Sequence, residues 1–186
     1  MAVNLMVGFF YMFSSMYLYV ASYLRLSDKS IDLDGKKVLV IMPVWIMCQC
    51  LTSLVSIKVA ERIGFWSLNL IAFVWFSLNH LLIAQVTSFY GFVIVYGVFN
   101  GLAMGLGFLP ALYISWTYYP TKKSIVTGCV VFCSGISACI LSPIITHLVN
   151  PDNLNDHDPE VAKRVPYMFR CLALAFSSIT LVACLL

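Results

Sequence analysis

Runs of about 20 consecutive apolar residues constrain this chain more than any other feature. About 20 residues of α-helix cross about 30 Å of hydrocarbon, and lipid offers a bare backbone no hydrogen-bond partner. Six runs reach that length, at roughly residues 5–24, 38–60, 66–86, 91–116, 124–148 and 167–186. They predict an all-α membrane protein of six transmembrane helices. The connections are too short to fold alone, so residues 1–186 read as a single domain embedded in the lipid bilayer. The composition agrees, with 61% of residues hydrophobic and 10% charged. The first run has no basic residue ahead of it and is too long for a signal peptide, so it reads as a retained helix.

Several function classes drop out. The net charge of +3 sits in loops, with no basic run longer than a pair, which argues against a nucleic-acid partner. Seven cysteines lie inside apolar runs without a His or carboxylate placed to complete a zinc site. They read as packing residues, and neither a metal nor a cofactor is expected. The acidic stretch of Asp152, Asp156, Asp158 and Glu160 lacks calcium-loop spacing and reads as a solvated connection. No nucleophile motif, acidic pair or His cluster falls at mid-membrane, so an enzyme is not expected.

The polar residues inside the runs carry the functional reading. At 100° per residue, Tyr11, Ser14, Ser15, Leu18 and Ser22 share one stripe of the first run. In the second run Trp45, Gln49, Thr52 and Ser56 do the same. Such stripes face a bundle interior or a water-filled path, or bond between helices. Asn79 and His80 mark the third run. A lone His there reads as a proton relay or as a structural hydrogen bond to a neighbouring helix. The stretch Tyr96–Pro143 contains two runs rich in small residues, joined by a hinge with Tyr119, Pro120, Lys122 and Lys123. Gly97, Gly101 and Gly105 recur every fourth residue, an edge along which helix backbones approach closely. Gly128 and Gly135 on the fifth run are expected to answer them. The sixth run is expected to start after Pro166, with Arg170 reaching back to the membrane interface.

Three places resemble a known family. They are Tyr19 to Arg25, the glycine run and Pro-x-Lys hinge of Tyr96–Pro143, and Val161 to Arg170. Together they resemble the amino-terminal six-helix half of a major facilitator superfamily transporter, in the branch of oxalate/formate antiporter-like and monocarboxylate transporter-like proteins. Glu61, Arg62 and Gly64 resemble that superfamily's loop signature, where the charged pair would act as a conformational latch. The resemblance implies one 3+3 half of that fold and secondary transport of small organic anions, monocarboxylates or oxalate-like acids, by alternating access.

Candidate cavity residues are Tyr11, Ser15, Gln49 and Asn100. Candidate packing and gating residues are Gly97, Gly101, Gly105, Gly128, Gly135, Glu61 and Arg62. The first run holds no charge to pair with an anion, so a second six-helix half is expected as partner. It would come from the same chain beyond Leu186, a second copy or a separate subunit. A sequence stopping about 20 residues into the sixth run reads as a truncated product. The alternative is a non-transporting structural or assembly subunit of a membrane complex. The family topology puts Lys58, Arg62, Lys122 and Lys123 inside, and Arg25, Lys29, Lys36, Lys37, Lys163 and Arg164 outside. That opposes the positive-inside rule.

Overall fold

An apolar segment in lipid must pair its amides within itself, and the chain does so as helices. The computed structural model describes residues 2–28, 35–152, 154–155 and 158–185. In order these form α1 (Ala2–Ser27), α2 (Gly35–Val38), α3 (Ile41–Ile63), α4 (Phe65–Ile83) and α5 (Phe89–Phe92). A π-helical segment (Val93–Phe99) then leads into α6 (Asn100–Tyr118), a 3-10 turn (Pro120–Lys122), α7 (Lys123–Val149) and α8 (Pro159–Leu185). No strand occurs among the described residues.

Among the described residues, four stretches are long and apolar enough to cross a membrane: Lys36–Ile63, Phe65–Ile83, Phe89–Tyr118 and Pro120–Val149. The protein is an integral, multi-pass membrane protein. The expected first and sixth spans fall on α1 and α8, which have 26 and 27 residues. Neither is among the four, and the side chains at the outer ends of both lie outside the described residues.

Two helix boundaries differ from expectation for physical reasons. The segment expected as one helix over 91–116 is widened into a π-turn at Val93–Phe99. A widened turn displaces carbonyls from the regular ladder and opens them to side-chain donors. The sixth helix begins at Pro159 rather than after Pro166. Asp158 starts it: its Oδ1 accepts the Glu160 N–H at 2.9 Å, and its carbonyl accepts from Ala162 at 3.2 Å. Pro159 follows with the preset φ that suits a first helical position. Val161, Ala162 and Val165 are buried, so the core holds these early turns and Pro166 is tolerated inside the helix.

Gly64 makes the turn between α3 and α4. Its φ of +92° is closed to residues with a side chain, and its N–H caps α3 by donating to the Ala60 carbonyl at 2.8 Å. At the other end of the bundle α1 is tied to the entry of α5. The Tyr23 hydroxyl donates to the Val86 carbonyl at 3.0 Å, and Asp28 Oδ2 accepts the Phe89 N–H at 3.0 Å.

Tyr96 is the hub of the core. Fully buried, it stacks on Phe92 at 5.3 Å between ring centroids, lies 4.9 Å from Phe13 of α1, and meets Trp45 of α3 edge-on at 5.2 Å. Phe169 of α8 closes the cluster at 6.2 Å. Lipid tails are as apolar as these rings, so shape-matched packing rather than water exclusion holds them together. The α8 stripe Val165, Met168, Phe169, Leu172 and Phe176 supplies that side of the core, while Arg170 is exposed on the other side.

Candidate functional site

The glycine row of α6 is a close-packed seam, and its partner is α3. A Cβ on Gly101 would lie 2.7 Å from the Trp45 carbonyl oxygen and 2.8 Å from Cys48 Cβ. One on Gly105 would lie 2.6 Å from the Gln49 carbonyl oxygen and 2.7 Å from Thr52 Cβ. At Gly97 the nearest atom is Val44 Cγ1, at 3.1 Å. The polar face read from Trp45, Gln49, Thr52 and Ser56 is therefore the face that α6 covers. Gln49 belongs to this seam and is half-buried in it.

The expected answering row on α7 is corrected. Gly128 and Gly135 are exposed, with nothing among the described residues within 4 Å of a Cβ built on either. α7 packs instead against α1, where a Cβ on Gly8 would lie 2.5 Å from Ser137 Cβ and 2.9 Å from the Ser134 carbonyl. Gly8 was missed because it stands outside any four-residue glycine repeat. Its signal is on the partner, where Ser134, Ser137 and Ala138 form a small-residue face.

Asn100 forms a buried polar pair with Asn79. It and Asn79 are 0% and 1% exposed. Asn79 Nδ2 donates to Asn100 Oδ1 at 2.6 Å and to the carbonyl of Val95, within the π-helical segment, at 2.8 Å. Asn79 Oδ1 and Asn100 Nδ2 have no hydrogen-bond partner among the described residues. A spare acceptor and a spare donor thus remain beside the widened turn. His80, next along α4, is bonded through Nδ1 to the Phe76 carbonyl of its own helix at 2.7 Å. It sits among Phe76, Phe176 and Phe169.

Tyr11 and Ser15 lie on the open side of α1. Tyr11 is 49% exposed, and Ser15 Oγ accepts from Ser142 Oγ of α7 at 3.0 Å. The four expected cavity residues do not meet in one cavity: Tyr11 and Ser15 flank the α1–α7 seam, Gln49 the α3–α6 seam, and Asn100 pairs with Asn79. Periodicity assigns a residue to a face and leaves open which neighbour that face meets. Glu61 and Arg62 are exposed at the end of α3. Neither forms an ion pair among the described residues, whereas Lys163 pairs with Glu160 and Arg164 with Asp152.

The hinge shapes an open groove of about 550 Å³ between α6 and α7, lined by residues that include Tyr118, Tyr119, Lys122 and Cys133. Trp116 Nε1 donates to Thr127 Oγ1 at 3.0 Å and pins the two helices beside it. No group of three His, Cys, Asp or Glu able to hold a metal occurs among the described residues.

One curated relative, the apicoplast pyruvate carrier 1 of Toxoplasma gondii, is 30% identical over 104 residues. The match covers 46% of this chain and 19% of that protein. The chain therefore spans about a fifth of the length of the curated relative it matches. No family model matches, and no solved structure matches.

These findings correct the resemblance drawn above. The match is distant, partial and to a pyruvate carrier, and no model of the major facilitator superfamily matches the chain. The assignment to that superfamily and its oxalate/formate and monocarboxylate branch does not stand, and neither does the six-helix half it implied. The latch role for Glu61 and Arg62 loses its basis as well. Glycine rows and proline hinges recur among membrane helices because close backbone packing selects them in any fold.

Proposed function

We propose that this chain is part of a membrane carrier of small organic acids, with pyruvate as the first acid to test. The observation that carries the reading is the 30% identity to a protein named as a pyruvate carrier. In this reading α1 and α8 also span, giving six crossings with the four apolar stretches. The buried Asn79–Asn100 pair supports it, because a spare amide donor at Asn100 offers a carboxylate a hydrogen bond where charge is otherwise absent. The π-turn and the smooth α3–α6 seam give the bundle a place to bend and slide, as exposure of a site to alternate sides requires. The open face around Tyr11 and Ser15 is where a further helical unit would complete the path, since a polar strip on a spanning helix is not left to lipid.

The test is uptake of radiolabelled pyruvate into proteoliposomes holding the purified chain. Saturable uptake above empty vesicles, reduced at least ten-fold by N100A without loss of fold, supports the proposal. No uptake, together with co-purification of other chains at fixed stoichiometry, assigns the chain to assembly of a complex instead.

A further inference from the structure

We propose that the groove between the end of α6 and the start of α7 binds an anionic phospholipid. The two spans it separates, Phe89–Tyr118 and Pro120–Val149, are joined through Tyr119 alone, so this joint lies at a membrane surface. Lys122 lines the groove there, with Tyr118 and Tyr119 beside it as interfacial aromatics. From Lys122 the lining continues through Val126 and Cys129 to Cys133, one stripe of α7 at helical spacing. Eleven residues at 1.5 Å rise take that stripe about 16 Å inward, close to the hydrocarbon depth of one leaflet.

The groove is therefore cationic where headgroups lie and apolar along an acyl-chain length. Lys123, the next residue in the chain, adds a second exposed ammonium at the same membrane surface, and none of the lining residues is acidic. A free anion would use the lysines and leave the apolar stripe unmatched. A neutral lipid would fill the stripe and leave the lysines unmatched. An anionic phospholipid satisfies both.

The test is native mass spectrometry of the delipidated full chain with dioleoyl phosphatidylglycerol or dioleoyl phosphatidylcholine. Surface attraction per lysine predicts a preference for phosphatidylglycerol of about five-fold from each of the two. K122Q/K123Q should bring that preference near unity. Val126→Trp should weaken retention of both lipids by filling the stripe, with the preference kept. An unchanged preference in K122Q/K123Q overturns the proposal, as does equal retention of the two lipids by the unmodified chain. Glycerol phosphate retained as firmly as the whole lipid would also overturn it, in favour of a soluble-anion site. Both lysines are exposed, and unchanged helicity by circular dichroism verifies that the variants fold.

Discussion

Asn79 donates to Asn100 Oδ1 at 2.6 Å and, from the same nitrogen, to the Val95 carbonyl at 2.8 Å. One side chain of α4 thus holds both the widened turn and the first residue of α6. Replacing it with Leu leaves the Val95 carbonyl and the Asn100 amide without that donor. Interhelical side-chain bonds in membranes are worth about 0.6 kcal/mol on average and up to about 1.7. N79L, losing two, should cost about 1–2 kcal/mol in SDS-induced unfolding. Because the two asparagines share a bond, N79A/N100A should cost less than the sum of the single changes. Strict additivity would show that the pair is not formed.

The seam between α3 and α6 separates packed glycines from unpacked ones. A side chain at Gly101 or Gly105 meets backbone oxygen at 2.7 or 2.6 Å, which a shift of the whole helix must relieve. G101V and G105V should each destabilise the fold by about 3 kcal/mol or more, at the upper end of overpacking costs. G128A and G135A have free space and gain helix propensity of up to about 1 kcal/mol, so they should be neutral or stabilising. Thermal midpoints in detergent for the four variants check both halves of the statement.

The reach of sequence reasoning shows in the same residues. The four-residue period of Gly97, Gly101 and Gly105 marks a close-packing edge, but spacing does not name the partner. The expected partner was the following helix, whereas α3 fills the seam. Asn100 at mid-membrane announces a need for a hydrogen bond without saying whether a ligand or another amide meets it. Its mate, Asn79, is remote in sequence, and only the fold joins them. The start of α8 was expected after Pro166, although Asp158-Pro159 has the form of a cap followed by a first-position proline. The acidic surroundings make that stretch resemble a solvated loop, and the buried Val161 and Val165 decide the matter.

Gly64 has a different constraint, since its surroundings leave room and its backbone does not. The nearest atom to a Cβ there is Ser67 Oγ at 3.6 Å, but φ is +92° and ψ 138°. That region is essentially glycine's own, and forcing a side chain into it costs about 1–3 kcal/mol. G64A should lower stability by that amount, and G64V by no less. A G64A protein as stable as the parent in SDS unfolding would mean that the α3–α4 turn adopts another backbone conformation.

The α1–α7 seam can be tested covalently. Ser142 Oγ donates to Ser15 Oγ at 3.0 Å, which brings the two side chains together and makes them the pair to test for a disulfide. Under mild oxidation S15C/S142C should form that link, identified by mass spectrometry of the joined peptides so that the native cysteines can remain. Ser14 is one residue round the helix, and its hydroxyl bonds to the Tyr11 carbonyl of its own helix at 2.8 Å. S14C/S142C should therefore link several-fold less. The contrast reads the rotation of α1 directly: a preference for position 14 would show that Ser15 does not face Ser142 of α7.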